Sequence, residues 1–223
     1  MKKLFIIANW KSNKTTEDAR AWLDEIVAAR LEDQITSAKE VIVCPPFTLL
    51  SYLKTDILEK SIPIKLGSQD VSSFGVGAHT GEISATQIKE FAEYVVIGHS
   101  ERRKEHLENN EMLAGKVISA LTAGLSPIFC VQGADTQIPS GVSMVAFEPV
   151  AAIGTGNPDT PENAEKVARS IKKAHPEVQH VVYGGSVTAE NVNSFTQMSS
   201  IDGVLVGGAS LEADKFLPIV KNS

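Results

Sequence analysis

Cysteine is almost absent from this chain of 223 residues, which carries only Cys44 and Cys130. Each lies inside an apolar run that reads as a buried strand, so both are expected as small core residues and not as a disulfide. Long hydrophobic runs are missing too. The apolar stretch from Leu4 to Ala8 is too short for a signal-peptide core and far too short to cross a bilayer, which leads us to expect a soluble, cytoplasmic protein. Positive charge is in the minority: 21 Lys and Arg face 27 Asp and Glu, a formal charge of -6. No cluster of five basic residues occurs, so the electrostatic footprint of a nucleic-acid binder is absent. An acidic chain that holds an anion must build positive potential locally.

What is present is an alternation of short apolar runs and polar, helix-like segments, the pattern of a parallel sheet wrapped by helices. Eight runs stand out: Leu4 to Asn9, Glu40 to Cys44, Ile64 to Ser68, Tyr94 to Gly98, Ser126 to Cys130, Ser143 to Glu148, His180 to Gly184 and Gly203 to Val206. Most are apolar on both alternating faces, as strands covered on two sides require. The fold class expected is α/β, a closed eight-stranded parallel (β/α)8 barrel forming one domain over residues 1–223. Thr160-Pro161-Glu162 predicts a helix start, with the helix running to about His175. Ser84 and Gln87 have capping-box spacing, and Gly124 should stop a helix over Glu111 to Ala123. Only Val131 to Gly141 separates the fifth run from the sixth, and it contains Pro139 and two glycines. A crossover with its helix needs at least about 10 to 12 residues. The fifth helix is therefore expected to be missing or reduced to a turn.

In such barrels the chemistry gathers at the C-terminal strand ends. Strand one ends in Asn9-Trp10-Lys11, strand four in Gly98-His99-Ser100-Glu101-Arg102-Arg103, strand six in Glu148-Pro149 and strand eight in Gly207-Gly208. Partial burial at the rim would raise the pKa of Glu148 and make it a base for removing a proton from carbon beside a carbonyl. Ser100 to Arg102 reads as a first helical turn that would disfavour an imidazolium at His99. A neutral His99 could donate to a carbonyl, although a histidine alone could equally be a structural hydrogen bonder. Lys11, beside Asn9, would supply positive charge for an anionic substrate, with Glu101 pairing with its ammonium. Arg102 and Arg103 are expected in structural salt bridges, and His175 and His180 at the surface. The segments at Gly154, at Gly184-Gly185-Ser186 and at Gly207-Gly208 follow strands six, seven and eight, where barrels bind phosphate with backbone N–H groups.

Together these residues resemble triosephosphate isomerase over Leu4 to Leu211. The segments that carry the resemblance are Ala8 to Asn13 (ANWKSN), Cys44 to Phe47 (CPPF), Ala78 to Ser84 (AHTGEIS), Ile97 to Arg103 (IGHSERR), Glu148 to Val150 (EPV), Ile153 to Gly156 (IGTG), Tyr183 to Val187 (YGGSV) and Asp202 to Ser210 (DGVLVGGAS), in family order. The resemblance implies cofactor-free and metal-free interconversion of dihydroxyacetone phosphate and glyceraldehyde 3-phosphate through an enediol. Glu148 would move the carbon proton, while His99, Asn9 and Lys11 stabilise the enediolate. Gly154, Ser186, Gly207 and Gly208 would bind phosphate, with Gly154 in a closing lid. It further implies a homodimer, the loop around Thr80 of one copy seated near Asn13 of the other.

The chain departs from the family around the lid. Phe147 and Ala151 stand where the family has Tyr and Trp, and Gly133 where it has Glu after the fifth strand, so two donors and their acceptor are lost together. A buried donor without its acceptor costs about 1–3 kcal/mol, which favours losing the whole set at once. Asn157-Pro158-Asp159 should stiffen the far hinge. Two other readings compete with the isomerase: a phosphosugar epimerase, for which we find no metal-ligand set, and a catalytically silent phosphometabolite-binding barrel, against which the full set Asn9, Lys11, His99, Glu101 and Glu148 speaks.

Overall fold

The structure is a computed structural model that describes residues 2–33, 35, 38–149 and 157–223. Eight parallel strands close in sequence order into a barrel: β1 Leu4–Asn9, β2 Lys39–Cys44, β3 Ile64–Ser68, β4 Tyr94–Ile97, β5 Ser126–Val131, β6 Met144–Phe147, β7 His180–Tyr183 and β8 Gly203–Val206. The β1–β8 ladder, from Phe5 opposite Gly203 to Ala8 opposite Val206, completes the ring. Alternate residues sort into two cores. Phe5, Ile7, Ile42, Cys44, Val96, Cys130 and Leu205 fill the barrel interior, while Ile6, Ala8, Val41 and Val95 pack outward under the helices. Both cysteines are buried and free, as expected.

The wrapping helices are α1 Thr16–Ala28, α2 Leu50–Glu59, α3 Ala85–Lys89, α4 Ser100–Glu105, α5 Asn110–Thr122, α6 Pro161–Ala174, α7 Val192–Thr196 and α8 Ala213–Asn222. Local chemistry explains their ends. Thr160 caps α6 by accepting from the Asn163 N–H, and Pro161 occupies the first position, where no N–H is needed. Ser84 and Gln87 form the expected capping box on α3. Gly124, at φ +76°, ends α5 in the left-handed conformation that suits glycine. The α6 face that buries Ala164, Ala168 and Ile171 repeats at helical spacing.

No helix lies between β5 and β6. Instead Gln132 and Gly133 both donate their N–H groups to the Thr136 hydroxyl, making a tight turn, and Ile138 and Val142 bury themselves where a helix face would otherwise cover the sheet. His180 departs from expectation: its ring lies 4.8 Å from that of Phe5 and is half-buried, because the start of β7 brings it against the barrel's lower rim. Among the described residues, no helix is long and apolar enough to cross a membrane.

Candidate active site

Five strand ends bring the predicted residues to one mouth. Glu148 follows β6 directly, and its N–H donates to the Val131 carbonyl at 2.8 Å, so the neighbouring strand fixes its backbone. Its side chain is 1% exposed and accepts from the Ser100 N–H at 2.9 Å. The other carboxylate oxygen lies 3.1 Å from Nε2 of His99. Burial raises the Glu148 carboxyl above the usual range, against the opposing pull of His99, the Ser100 N–H and a hydrogen bond from the Cys130 thiol. A carboxylate held this way is the stronger base that the sequence led us to expect.

His99 is the N-cap of α4, and its Nδ1 accepts from the Glu101 N–H at 3.2 Å. That bond requires a lone pair on Nδ1, so the ring proton resides on Nε2, the nitrogen nearest Glu148. A neutral imidazole with a single donor nitrogen is thereby set by backbone geometry. Lys11 stands at φ +52°, and its ammonium pairs with Glu101 at 2.5 Å. Asn9, buried at the end of β1, accepts from the Lys11 N–H at 3.1 Å, leaving its NH2 group to serve the cavity it lines.

Asn9, Lys11, His99 and Glu148 line a cavity of about 280 Å³ whose far wall is Gly185, Ser186, Gly207 and Gly208. The glycines there leave backbone amides uncovered by side chains. At Gly185 the freedom is steric: a Cβ would come within 2.2 Å of the Tyr183 hydroxyl. The Lys11 stem passes over the same wall, its Cε 3.6 Å from where a Cβ on Gly207 would stand. An ammonium and glycine amides thus share one end of the cavity, and a carboxylate and an imidazole share the other. A second cavity of about 300 Å³ adjoins the first through Asn9, Lys11 and His99 and extends between Glu101, Asp70 and His106.

Arg102 behaves as expected, reaching Asp70 at 2.8 Å and Glu108 at 2.7 Å. Arg103 makes no salt bridge among the described residues. It donates to the carbonyls of Gly98 and Cys130, at 2.7 and 3.0 Å, because α4 turns it back across the ends of β4 and β5. Gly154 and Ala151 lie outside the described residues, whereas Phe147 is buried in the core beneath Tyr183. On the far hinge, the Asp159 N–H donates to the Tyr183 hydroxyl at 2.8 Å. Two neighbours escaped the sequence reading. Cys130 was read only as a core residue, and Gln69, a polar residue just past β3, carried the same strand-end signal as the four that were read.

The family model for triosephosphate isomerase matches residues 4–143 and 136–223. Triosephosphate isomerase of Polynucleobacter asymbioticus is 38% identical over 98% of this chain and 99% of its own length. That of Dictyoglomus thermophilum is 37% identical over the whole of both chains. The crystal structure of triosephosphate isomerase from Bartonella henselae superposes with a TM-score of 0.83 at 31% identity, covering 99% of this chain and 100% of that one. Sequence, barrel and residue order agree, and this chain belongs to the triosephosphate isomerase family.

Proposed function

We propose that the chain interconverts dihydroxyacetone phosphate and glyceraldehyde 3-phosphate without a cofactor, with Glu148 as base, His99 as electrophile and proton shuttle, and Lys11 and Asn9 as electrostatic stabilisers. Glu148, as carboxylate, takes the proton from the carbon beside the carbonyl. Nε2–H of His99 donates to the carbonyl oxygen and gives it the proton as the enediol forms. Glu148 then returns its proton to the adjacent carbon while His99 takes the proton from the other enediol hydroxyl, whose oxygen becomes the new carbonyl, so the reaction is balanced within one substrate. The carboxylate accepts from the Ser100 N–H and lies beside Nε2 of His99. It must turn toward the cavity, and the substrate oxygen must take the place beside Nε2–H.

The observation that carries this reading is the Glu148 to His99 contact of 3.1 Å, with the tautomer set by Glu101, at the floor of a cavity whose other end offers an ammonium and glycine amides. The phosphate is assigned to Ser186, Gly207 and Gly208, and to Gly154 from its sequence position. Glu101 orients Lys11. The chain works as one barrel domain in the cytoplasm and as a homodimer. In support of assembly, Phe74 and Val76 in the loop before Thr80 are 52% and 78% exposed, and the second cavity lies open beside Lys11. In a coupled assay of glyceraldehyde 3-phosphate isomerisation, Glu148→Gln should lose roughly 10²- to 10⁴-fold in kcat while remaining folded. A folded parent without turnover would sink the proposal, as would a Glu148→Gln variant with full turnover. Size-exclusion with light scattering should give a dimer; a fully active monomer would refute the assembly.

A further inference from the structure

Lys11 occupies the left-handed region, which a lysine rarely adopts and which persists only where its surroundings over-determine it. One side chain from a third strand stands out among those surroundings. Gln69, just beyond β3, donates through Nε2 to the Lys11 carbonyl at 2.9 Å and to the Cys44 carbonyl at 2.8 Å. An amide NH2 has two hydrogens, both acceptors are carbonyls, and so both hydrogens are used and the orientation is forced. The Cys44 carbonyl also receives the Trp10 N–H, at 3.1 Å. The ends of β1, β2 and β3 are therefore pinned at a single node, whose free outcome is the direction of the Lys11 side chain. On the amide side of Lys11, Asn9 holds the N–H and Asn13 Nδ2 holds the Trp10 carbonyl at 2.7 Å. Only Gln69 holds the Lys11 carbonyl among these contacts.

We infer that Gln69 is a positioning residue for the isomerisation: by clamping the Lys11 and Cys44 carbonyls it holds Lys11 in its left-handed backbone and keeps the ammonium over the phosphate end of the cavity. This rests on the role proposed for Lys11. Without the clamp, Lys11 relaxes toward negative φ, and the ammonium leaves its place between Glu101 and Gly207. Because one charge serves both the bound phosphate and the enediolate, KM and kcat move together. A displacement of about 1 Å at such a group costs roughly a hundredfold in rate.

The test uses Gln69→Leu and Gln69→Met, which keep most of the volume and remove both donors, beside Lys11→Ala and the double variant Lys11→Ala/Gln69→Leu. Inorganic phosphate serves as a competitive probe of the anion end. Gln69→Leu should lower kcat/KM by about a hundredfold, shared between a lower kcat and a higher KM, and should weaken inhibition by phosphate. In the Lys11→Ala background the same change should have almost no further effect, since a clamp without its lysine has nothing to position. A second, independent loss of similar size in that background would overturn the inference, as would kcat/KM within twofold of the parent in either single variant. If Lys11→Ala itself left kcat/KM and phosphate inhibition unchanged, the role of Lys11 would fall first. Should Gln69→Leu not fold, Gln69→Met decides by the same criteria.

Discussion

The two ends of the barrel treat their charges in opposite ways. At the lower rim, where the strands begin, Glu40 and Asp202 are met by cations and donors. Glu40 receives Lys3 at 2.7 Å, Lys65 at 3.4 Å and the Tyr94 hydroxyl, and Asp202 receives Lys172 at 2.6 Å and the Val181 N–H at 2.9 Å. At the mouth, Glu148 is buried with a neutral imidazole, one backbone N–H and a thiol for company, and Lys11 is held in a strained backbone. Paired charges close the strands at one end. At the other, the buried Glu148 sits beside a histidine and Lys11 keeps a left-handed backbone next to the cavity, where a reaction can use them.

That contrast can be broken at either end. The largest stability effect should come from below: Asp202→Ala leaves the Val181 N–H and Lys172 without their acceptor and should cost about 2–3 kcal/mol in urea unfolding, with kcat unchanged. A matching fall in kcat would show that the lower rim also shapes the site. Next comes Glu148→Gln, which should lower kcat roughly 10²- to 10⁴-fold yet raise the melting temperature at pH 8. The folded carboxyl holds its proton more tightly than the unfolded one, so its favourable contribution is complete below the unfolded pKa and disappears as pH rises through the folded pKa. The advantage of the variant should therefore shrink as pH falls toward 4; an advantage that grew on acidification would reverse the assignment. The smallest effect is expected for His180→Phe. Burial, with Lys172 and Lys3 nearby, lowers the His180 pKa below its ordinary value, against the pull of Asp202 and Glu40. Protonation therefore begins to cost stability as pH falls below about 6.5, and the variant should lose less stability than the parent between pH 6.5 and 5. Parallel acid limbs for the two proteins would exclude His180 as a contributor.

Much of this architecture was legible before any coordinate. The eight runs became eight strands because residues buried on both faces leave a continuous apolar signature, and Thr160, Ser84 and Gly124 marked helix ends through side-chain and φ chemistry that acts locally. Strand ends shifted by a residue, as at Ile97 and Phe147, because Gly98, at φ +73°, turns the chain out of β4 and Glu148 lies past the last ladder pair of β6. The components of the site were readable from residue type at strand ends. Their hydrogen bonds were not. The Cys130 thiol meets Glu148 through the register that sets Cys130 opposite Ala146, and Gln69 meets Lys11 across three strands. Arg103 chose carbonyls over carboxylates because of where α4 turns. Such contacts depend on tertiary placement, and no local pattern encodes them.

The bare connection between β5 and β6 has a consequence for anyone wishing to modify this molecule. The barrel is sealed by its ladders, and here Thr136, Ile138 and Val142 do locally what a whole helix does elsewhere. Between Gly133 and Thr136, Ala134 and Asp135 form an exposed tip that bears no ladder bond. A guest segment spliced at that tip would lengthen a surface turn and leave all eight strand pairings intact, which makes this the natural port through which a new binding module could be added to the enzyme.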